Sequence, residues 1–460
     1  MILKIKMILV FVIFTCLIIQ GNAQDDAKSF SLEQAINYAM NNSYVLKNSS
    51  KDITIAQKKV WETITTGLPQ VSGTMDYTKN ILAAKTPFPV AIIPKDFWPF
   101  LGIPDDTPAD GTYPISFAQK YNSSFGFSVS QLIFDGSYIV GVGSSQIYLN
   151  LAKQAYEKSQ IDIREAVTQA YYMVLISERT SQAMSDNFEN EKKIYEETKI
   201  LFENGFREEQ DVDQITLILH NAENEKLRAE RELKIAKVVL KYAMGYNLDD
   251  EIQLKDDLDQ FIDPLVNKQN NFQFNFSDHI DYRLAATNFQ VSEKLLKLEK
   301  ATYLPKLSGF YNYSKTAFNN DANLFKSGYK WYPSSMLGLN LSISIFNSGQ
   351  KRAKVQQAEI AVEQADDQVK LAETTLEKDY LTAVANMENA LASYDNDKEN
   401  RELAEKIKEK TKIKFDNGMS SSTEMAQIET QYINAYRALV ASTLQLLQAD
   451  ISLKKAIGNL

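Results

Sequence analysis

Cysteine, histidine, glycine and proline are all scarce in this chain of 460 residues. The single cysteine, Cys16, lies within the first 23 residues, so the rest of the chain can build neither a disulfide nor a thiolate metal site. The two histidines, His220 and His279, stand far apart with no ligand types in metal-binding spacing, and they read as ordinary surface residues. No glycine-rich phosphate loop and no nucleophile constellation occurs. The sequence therefore offers no catalytic residue, no cofactor site and no metal site, and it predicts a protein that is not an enzyme. A net charge of −9 without basic blocks argues against nucleic acid as a partner. The 17 glycines and 11 prolines compare with roughly 32 and 23 at average usage, so those present carry positional information.

Long apolar runs are equally rare. Residues 7–19 form the only one of note, preceded by Lys4 and Lys6 and followed by Gly21-Asn22-Ala23. A charged start, an apolar middle and a small-residue end predict a signal peptide over 1–23, cleaved before Gln24. The alternative, an uncleaved anchor, is disfavoured because the run is shorter than the roughly 20 residues that span a bilayer. Ile13-Phe14-Thr15 precede Cys16 where a lipid attachment site needs a small residue, so no acylation is expected there. With no second such run, an exported chain of this kind can enter a membrane only by strands.

What the sequence does contain is a duplication. GLPQVSG at 67–73 matches YLPKLSG at 303–309, and 126–136 matches 338–348 with Phe134 aligned on Phe346. FENG at 202–205 matches FDNG at 415–418, and Met244-Gly245 matches Ile457-Gly458. Four landmarks in one order, at a period of about 213 residues, define two copies of one unit rather than a solenoid array. The expected organisation is a signal peptide at 1–23, a first repeat at 24–245, an irregular linker at 246–277 and a second repeat at 278–460. Each repeat should hold a helix (32–66 and 282–302), a strand opened by Leu-Pro, a loop, a second strand, a very long helix, a glycine turn and a returning helix.

The strands alternate. Val71, Gly73, Met75 and Tyr77 oppose Ser72, Thr74, Asp76 and Thr78, and Leu337, Leu339, Leu341, Ile343 and Ile345 oppose Gly338, Asn340, Ser342 and Ser344. Phe125, Phe127 and Val129 oppose Ser124, Gly126, Ser128 and Ser130 in the same way. A soluble sandwich gives such a pattern too. Strands long enough for the roughly 9–11 residues of a bilayer crossing, a hydroxyl-rich polar face and aromatic strand ends point instead to a membrane barrel. The proline-rich loop 87–114 reads as extracellular. Residues 350–417 contain neither proline nor glycine, and one continuous helix there would be about 100 Å long. Val362, Val369, Leu376, Ala383 and Ala390 recur every seven residues beside Ala358, Ala365 and Ala372, a coiled-coil seam of mostly small residues. The charged stretch 399–414 is expected to be a solvated face. Four strands cannot close a barrel, so several chains must share one, and three chains are the smallest set that leaves a lumen.

In order, the Leu-Pro strand, the hairpin, the "LIFDGS" and "SIFNSG" junctions, the long helices, the "FENG" and "FDNG" turns and the terminal "AMG" and "AIG" resemble the TolC family of outer-membrane efflux proteins. The resemblance covers essentially the whole chain after residue 23. It implies an α+β membrane fold, in which four transmembrane strands per chain enter a trimeric twelve-stranded barrel and long helices form a periplasmic α-barrel. It also implies the outer membrane of a Gram-negative bacterium as location, with outer-membrane lipid around the barrel and the helical part in the periplasm. The implied partners are two further copies of the chain, a periplasmic adaptor (a membrane fusion protein) and an inner-membrane pump. The implied function is that of a passive duct for small molecules. Alternatives are the outer-membrane channel of a type I protein secretion system and, from another class, a periplasmic coiled-coil adaptor.

By the same resemblance, Gly205, Phe206, Gly418 and Met419 fall on the turn that contacts the adaptor. Asp211 and Glu424, six residues after each glycine, fall on positions lining the periplasmic constriction, with Asp213 nearby. The family's second acid is Gln214 and Gln427 here, which leaves the second ring open, with Asp213 as the residue that could compensate. Helix capping explains the same acids equally well, since Ser421-Ser422-Thr423-Glu424 fits a capping box.

Overall fold

The computed structural model describes residues 28–266, 274–323, 326 and 328–460, so the expected signal peptide lies outside the described residues. In chain order the elements are β1 (Lys28–Phe30), α1 (Leu32–Asn42), α2 (Tyr44–Thr65), β2 (Gln70–Lys79), β3 (Thr86–Pro89), α3 (Trp98–Leu101), β4 (Thr112–Ile115), β5 (Tyr121–Asp135) and α4 (Gly136–Glu203). They continue with α5 (Glu209–Met244), β6 (Ile252–Leu254), α6 (Asp259–Val266), α7 (Ile280–Ala301), β7 (Lys306–Asn319), β8 (Tyr332–Ser342), α8 (Gln350–Asp416) and α9 (Ser422–Ala456). The order from α2 to α5 recurs from α7 to α9, as the duplication requires. No described helix is long and apolar enough to cross a membrane. Contacts divide the chain into two compact units.

One unit comprises Gln57–Tyr148 and Val291–Val362 and contains an antiparallel sheet of order β2-β5-β7-β8. Its register carries the alternation across all four strands. Val71 pairs with Val129, Val129 with Tyr311, and Tyr311 with Leu337, giving an apolar row. The neighbouring row, Ser72, Ser128, Asn312 and Met336, is polar on its first three strands, and Ser128 Oγ donates to Asn312 Oδ1 at 2.6 Å. Leu337, Leu339 and Leu341 are exposed on a single chain, whereas a packed sandwich would cover one face. A bulge at Ile133 adds one residue to β5 just before the helix. Loop 87–114 forms the β3/β4 pair and a small core of Val90, Trp98, Ile103 and Ile115.

Three expectations need correction. The oily alternation of the last strand runs to Ile345, but pairing stops at Ser342 opposite Lys306, because Pro305 ends the partner strand. Helix 32–66 is broken at Ser43, whose extended backbone (φ −55°, ψ 128°) lets Asn42 O approach Gly245; a Cβ on Gly245 would meet that oxygen at 3.0 Å. His279 is buried, not superficial: its Nε2 stands 3.2 Å from Lys455 O and its Nδ1 accepts from Asp281 N at 3.2 Å.

The other unit contains Leu149–Gln290, Glu363–Leu460 and the described part of Met1–Ala56. Its core joins Phe30, Tyr171, Leu240, Met244, Leu446, Leu447 and Ile451, so β1, α4, α5 and α9 meet around one apolar centre. Each fully buried side chain of this size contributes about 1.5–3 kcal/mol. β1 and β6 pair in parallel, and Phe30, Tyr38 and Tyr246 pack edge to face with centroids 5.5–5.8 Å apart. On α8 the heptad seam runs through Leu376, Ala383 and Ala390, all buried. Its companion row shifts there by one residue, from Ala372 to Tyr380, Met387 and Tyr394, a stutter that relaxes left-handed supercoiling.

Candidate functional site

The two glycine turns close their helices with the same hydrogen bonds. After α4, Gly205 (φ +80°) donates to Phe202 O at 2.9 Å and Phe206 donates to Leu201 O at 2.8 Å. After α8, Gly418 (φ +72°) donates to Phe415 O at 2.9 Å and Met419 to Lys414 O at 2.8 Å. These are Schellman closures, which need a left-handed residue that glycine supplies without steric cost. Asn204 Nδ2 and Asn417 Nδ2 add a bond to the preceding turn, to Ile200 O and Ile413 O, each at 2.7 Å. The consequence is that Phe206 and Met419, one residue past each glycine, stand 77% and 71% exposed.

The turns belong to one assembly. Ile194, Ile215, Ile218, Phe415 and Met425 form a buried cluster that joins the hairpin α4–α5 to the hairpin α8–α9. Arg207 lies over the Phe415 ring with its guanidinium carbon 4.2 Å from the centroid, and it also donates to Phe415 O. Nothing local in the sequence marks Arg207: it stands two residues after Gly205, but its partner lies 208 residues away.

The three acids are not equivalent. Asp211 is only 22% exposed at its side chain, with Arg207 Nη1 4.0 Å from Oδ2. Asp213 is exposed. Glu424 is exposed too; its N–H donates to Ser421 Oγ at 3.1 Å, and its Oε2 accepts from Ser420 Oγ at 2.7 Å. Ser421 is therefore the cap of α9, but the Glu424 carboxylate turns to Ser420 instead of back to the capping residue's N–H. Each acid lies in the first turns of a returning helix, where the positive end of the dipole favours it.

Charged stretch 399–414 is not wholly a solvated face. Lys408 is 13% exposed at its side chain and ion-pairs with Glu191 of α4 and Glu429 of α9. Thr411 is buried beside it on the sequence. A single inward-facing lysine among many outward-facing ones leaves no periodic signature, because its partners come from the other hairpin and from the returning helix.

The sheet joins the helices through two junctions of different build. In the first, Asp135 Oδ1 accepts from Ser137 N at 2.8 Å and Tyr138 N at 3.2 Å, capping α4 directly. In the second, Ser348 (φ +52°) and Gly349 (φ +83°) turn the chain before α8.

The chain matches the family model described as outer membrane efflux protein over residues 35–246 and 279–459. Among solved structures it is similar to the Campylobacter jejuni CmeC outer membrane channel, at 16% identity and a TM-score of 0.70, over 93% of this chain and 85% of that one. It is similar to the outer membrane protein VceC from Vibrio cholerae, at 16% identity and a TM-score of 0.66, over 93% of this chain and 96% of that one. It is also similar to the open state of the Neisseria gonorrhoeae MtrE outer membrane channel, at 14% identity and a TM-score of 0.68, over 93% of this chain and 88% of that one. Comparison with curated protein sequences gives no match. The structural likenesses agree on the fold, an α+β membrane architecture of barrel strands and long helices. The family match spans most of the chain and sets aside the periplasmic-adaptor alternative. It also accounts for the two repeats, the lipid-type strand rows and the paired turns together: the chain belongs to the outer membrane efflux protein family, with its strands in the outer membrane and its helices in the periplasm.

Proposed function

We propose that the chain is the outer-membrane channel of a tripartite export system. In this reading it is a homotrimer and a passive duct for small molecules, which an inner-membrane pump expels through a periplasmic adaptor. Trimerisation is supported by the sheet itself. The order β2-β5-β7-β8 leaves both outer strands with an unpaired edge, and open edges are not tolerated in hydrocarbon. Three copies of four strands give twelve, enough to enclose a lumen.

The observation that carries the reading is the pair of matched turns. Two hairpins end in identical hydrogen-bonded closures, each presenting one large apolar side chain to solvent, Phe206 and Met419. The proposed adaptor contacts are the residues of these two turns, Gly205, Phe206, Gly418 and Met419, supported by the exposure of one large side chain at each matching closure. Asp211, Asp213 and Glu424 are the proposed constriction, which in a trimer brings nine carboxylates towards one ring and favours cations over anions.

The test is site-specific photocrosslinking from positions 206 and 419 in cells, paired with planar-bilayer recording of the purified protein. Capture of a periplasmic adaptor together with cation-selective conductance is expected. A conducting trimer whose turns crosslink to nothing but lipid or to other copies of itself would remove the adaptor from the proposal.

A further inference from the structure

Between the two hairpins lies a group of ionisable side chains that the duct function does not use. Glu191 of α4 is 0% exposed and Glu429 of α9 is 7% exposed. Lys408 Nζ of α8 is 2.9 Å from Glu191 Oε1 and 2.5 Å from Glu429 Oε2. Asn187, one turn from Glu191, takes a hydrogen bond from Lys408 at 2.5 Å and donates to Glu429 Oε1 at 2.8 Å. The ammonium also lies 4.7 Å from the centre of the Tyr432 ring. Neither oxygen of Glu191, nor Oε2 of Glu429, receives a well-directed hydrogen bond.

The charge count is unequal: two carboxylates face one ammonium. Other elements do not repair it. On α5, Ile218 and Ala222 are buried, while Glu225 is held by Arg437 of α9 at 2.5 Å. On α8, Arg401, about two turns away, pairs with Glu405 at 2.9 Å. A buried surplus charge is costly, and the cheapest way to remove it is to bind a proton.

We propose that Glu191, Glu429 and Lys408 form a proton-controlled latch between the two helical hairpins. With one proton shared by the two carboxyls the cluster is neutral and the seam holds; without it a surplus negative charge is buried there and the seam loosens. Titration behaviour agrees. Burial, reinforced by Glu429 and opposed by Lys408, pushes the Glu191 carboxyl up to about 7. Burial lowers the Lys408 ammonium, but the two carboxylates more than offset this and hold it above its ordinary value, so it stays charged. When the seam opens to water, Glu191 returns to the ordinary carboxyl range near 4.5. Closing therefore takes up a proton between those two values. The latch is strongest below about pH 4.5, weakens by up to roughly tenfold per pH unit as pH rises through about 7, and then levels off.

The inference concerns the trimer itself and does not depend on the adaptor or pump. Infrared difference spectra of the purified channel in lipid nanodiscs, taken between pH 5 and 8.5, should show a protonated carboxyl band that titrates near neutrality. That band should vanish in Glu191→Gln. Amide hydrogen exchange, corrected for its intrinsic pH dependence, should show protection around 187–194, 405–412 and 425–432 falling about tenfold or more over the same range. In Glu191→Gln, permanently neutral at that position, protection should stay high and flat. Glu429→Gln gives a second neutral variant if the first does not assemble. A band that persists in both variants, or wild-type protection that does not change with pH, would overturn the latch.

Discussion

Arg207 of the first turn seats its guanidinium 4.2 Å from the ring centroid of Phe415, the last aromatic residue before the second turn. It also donates to the carbonyl oxygen of that same residue. One side chain thus ties hairpin α4–α5 to hairpin α8–α9 at their ends. Cation–π contact of this kind contributes about 0.5–2 kcal/mol, and a charged hydrogen bond about 1.5–3 kcal/mol. Replacing Arg207 by Ala should loosen the turns and raise single-channel conductance, with little change in trimer melting temperature. Unchanged conductance together with unchanged hydrogen exchange at the turns would show that the contact does not restrain them.

On the proposed constriction, the acids should rank by their freedom from Arg207. Asp211 is partly neutralised by that guanidinium at 4.0 Å, whereas Asp213 and Glu424 are exposed. Asp213→Asn and Glu424→Gln should each lower the cation-to-anion permeability ratio several-fold, and Asp211→Asn should lower it less. Reversal potentials in a salt gradient give the ratio. The ranking fails if Asp211→Asn has the largest effect.

Within the chain, glycines 205 and 418 are needed for their left-handed backbone and not for space. A Cβ added at either meets nothing within 4 Å, so alanine there should cost only the left-handed penalty of about 1–2 kcal/mol. Gly136 is the opposite case, with a Cβ that would come 2.5 Å from Leu304 Cδ1 and 3.0 Å from Ala301 O. Gly136→Ala should strain the packing at the start of α4 by about 1–3 kcal/mol. Thermal melting of the assembled protein separates the cases: the two turn variants should lose local protection only, and Gly136→Ala should lose assembly yield or melting temperature.

Phe206 and Met419 face solvent, so polar substitution should leave folding intact. Phe206→Ser with Met419→Ser is expected to weaken adaptor capture by at least tenfold while bilayer conductance stays at the wild-type value. Equal co-purification of the adaptor with the double variant and with the wild type would exclude the turns as the docking surface.

Sequence alone determined the features that repeat locally. Alternation every second residue marked both faces of the strands, the seven-residue spacing marked the α8 seam, and the FENG and FDNG turns marked the ends of the helices. Backbone geometry imposes those periods on any chain that adopts them, so they are legible without knowing what packs against what. Tertiary structure decided the rest. Pairing of the last strand ends at Ser342 because its partner β7 begins only after Pro305, not because its own alternation stops. His279 is buried because it meets Lys455, 176 residues away. Asp211 and Asp213, two residues apart, differ because only one of them faces Arg207. Lys408 looks like any other lysine in a charged helix, and it becomes the centre of a buried cluster only when α4 and α9 bring Glu191 and Glu429 to it. Long-range electrostatics depends on distances the fold sets, and no local period encodes them.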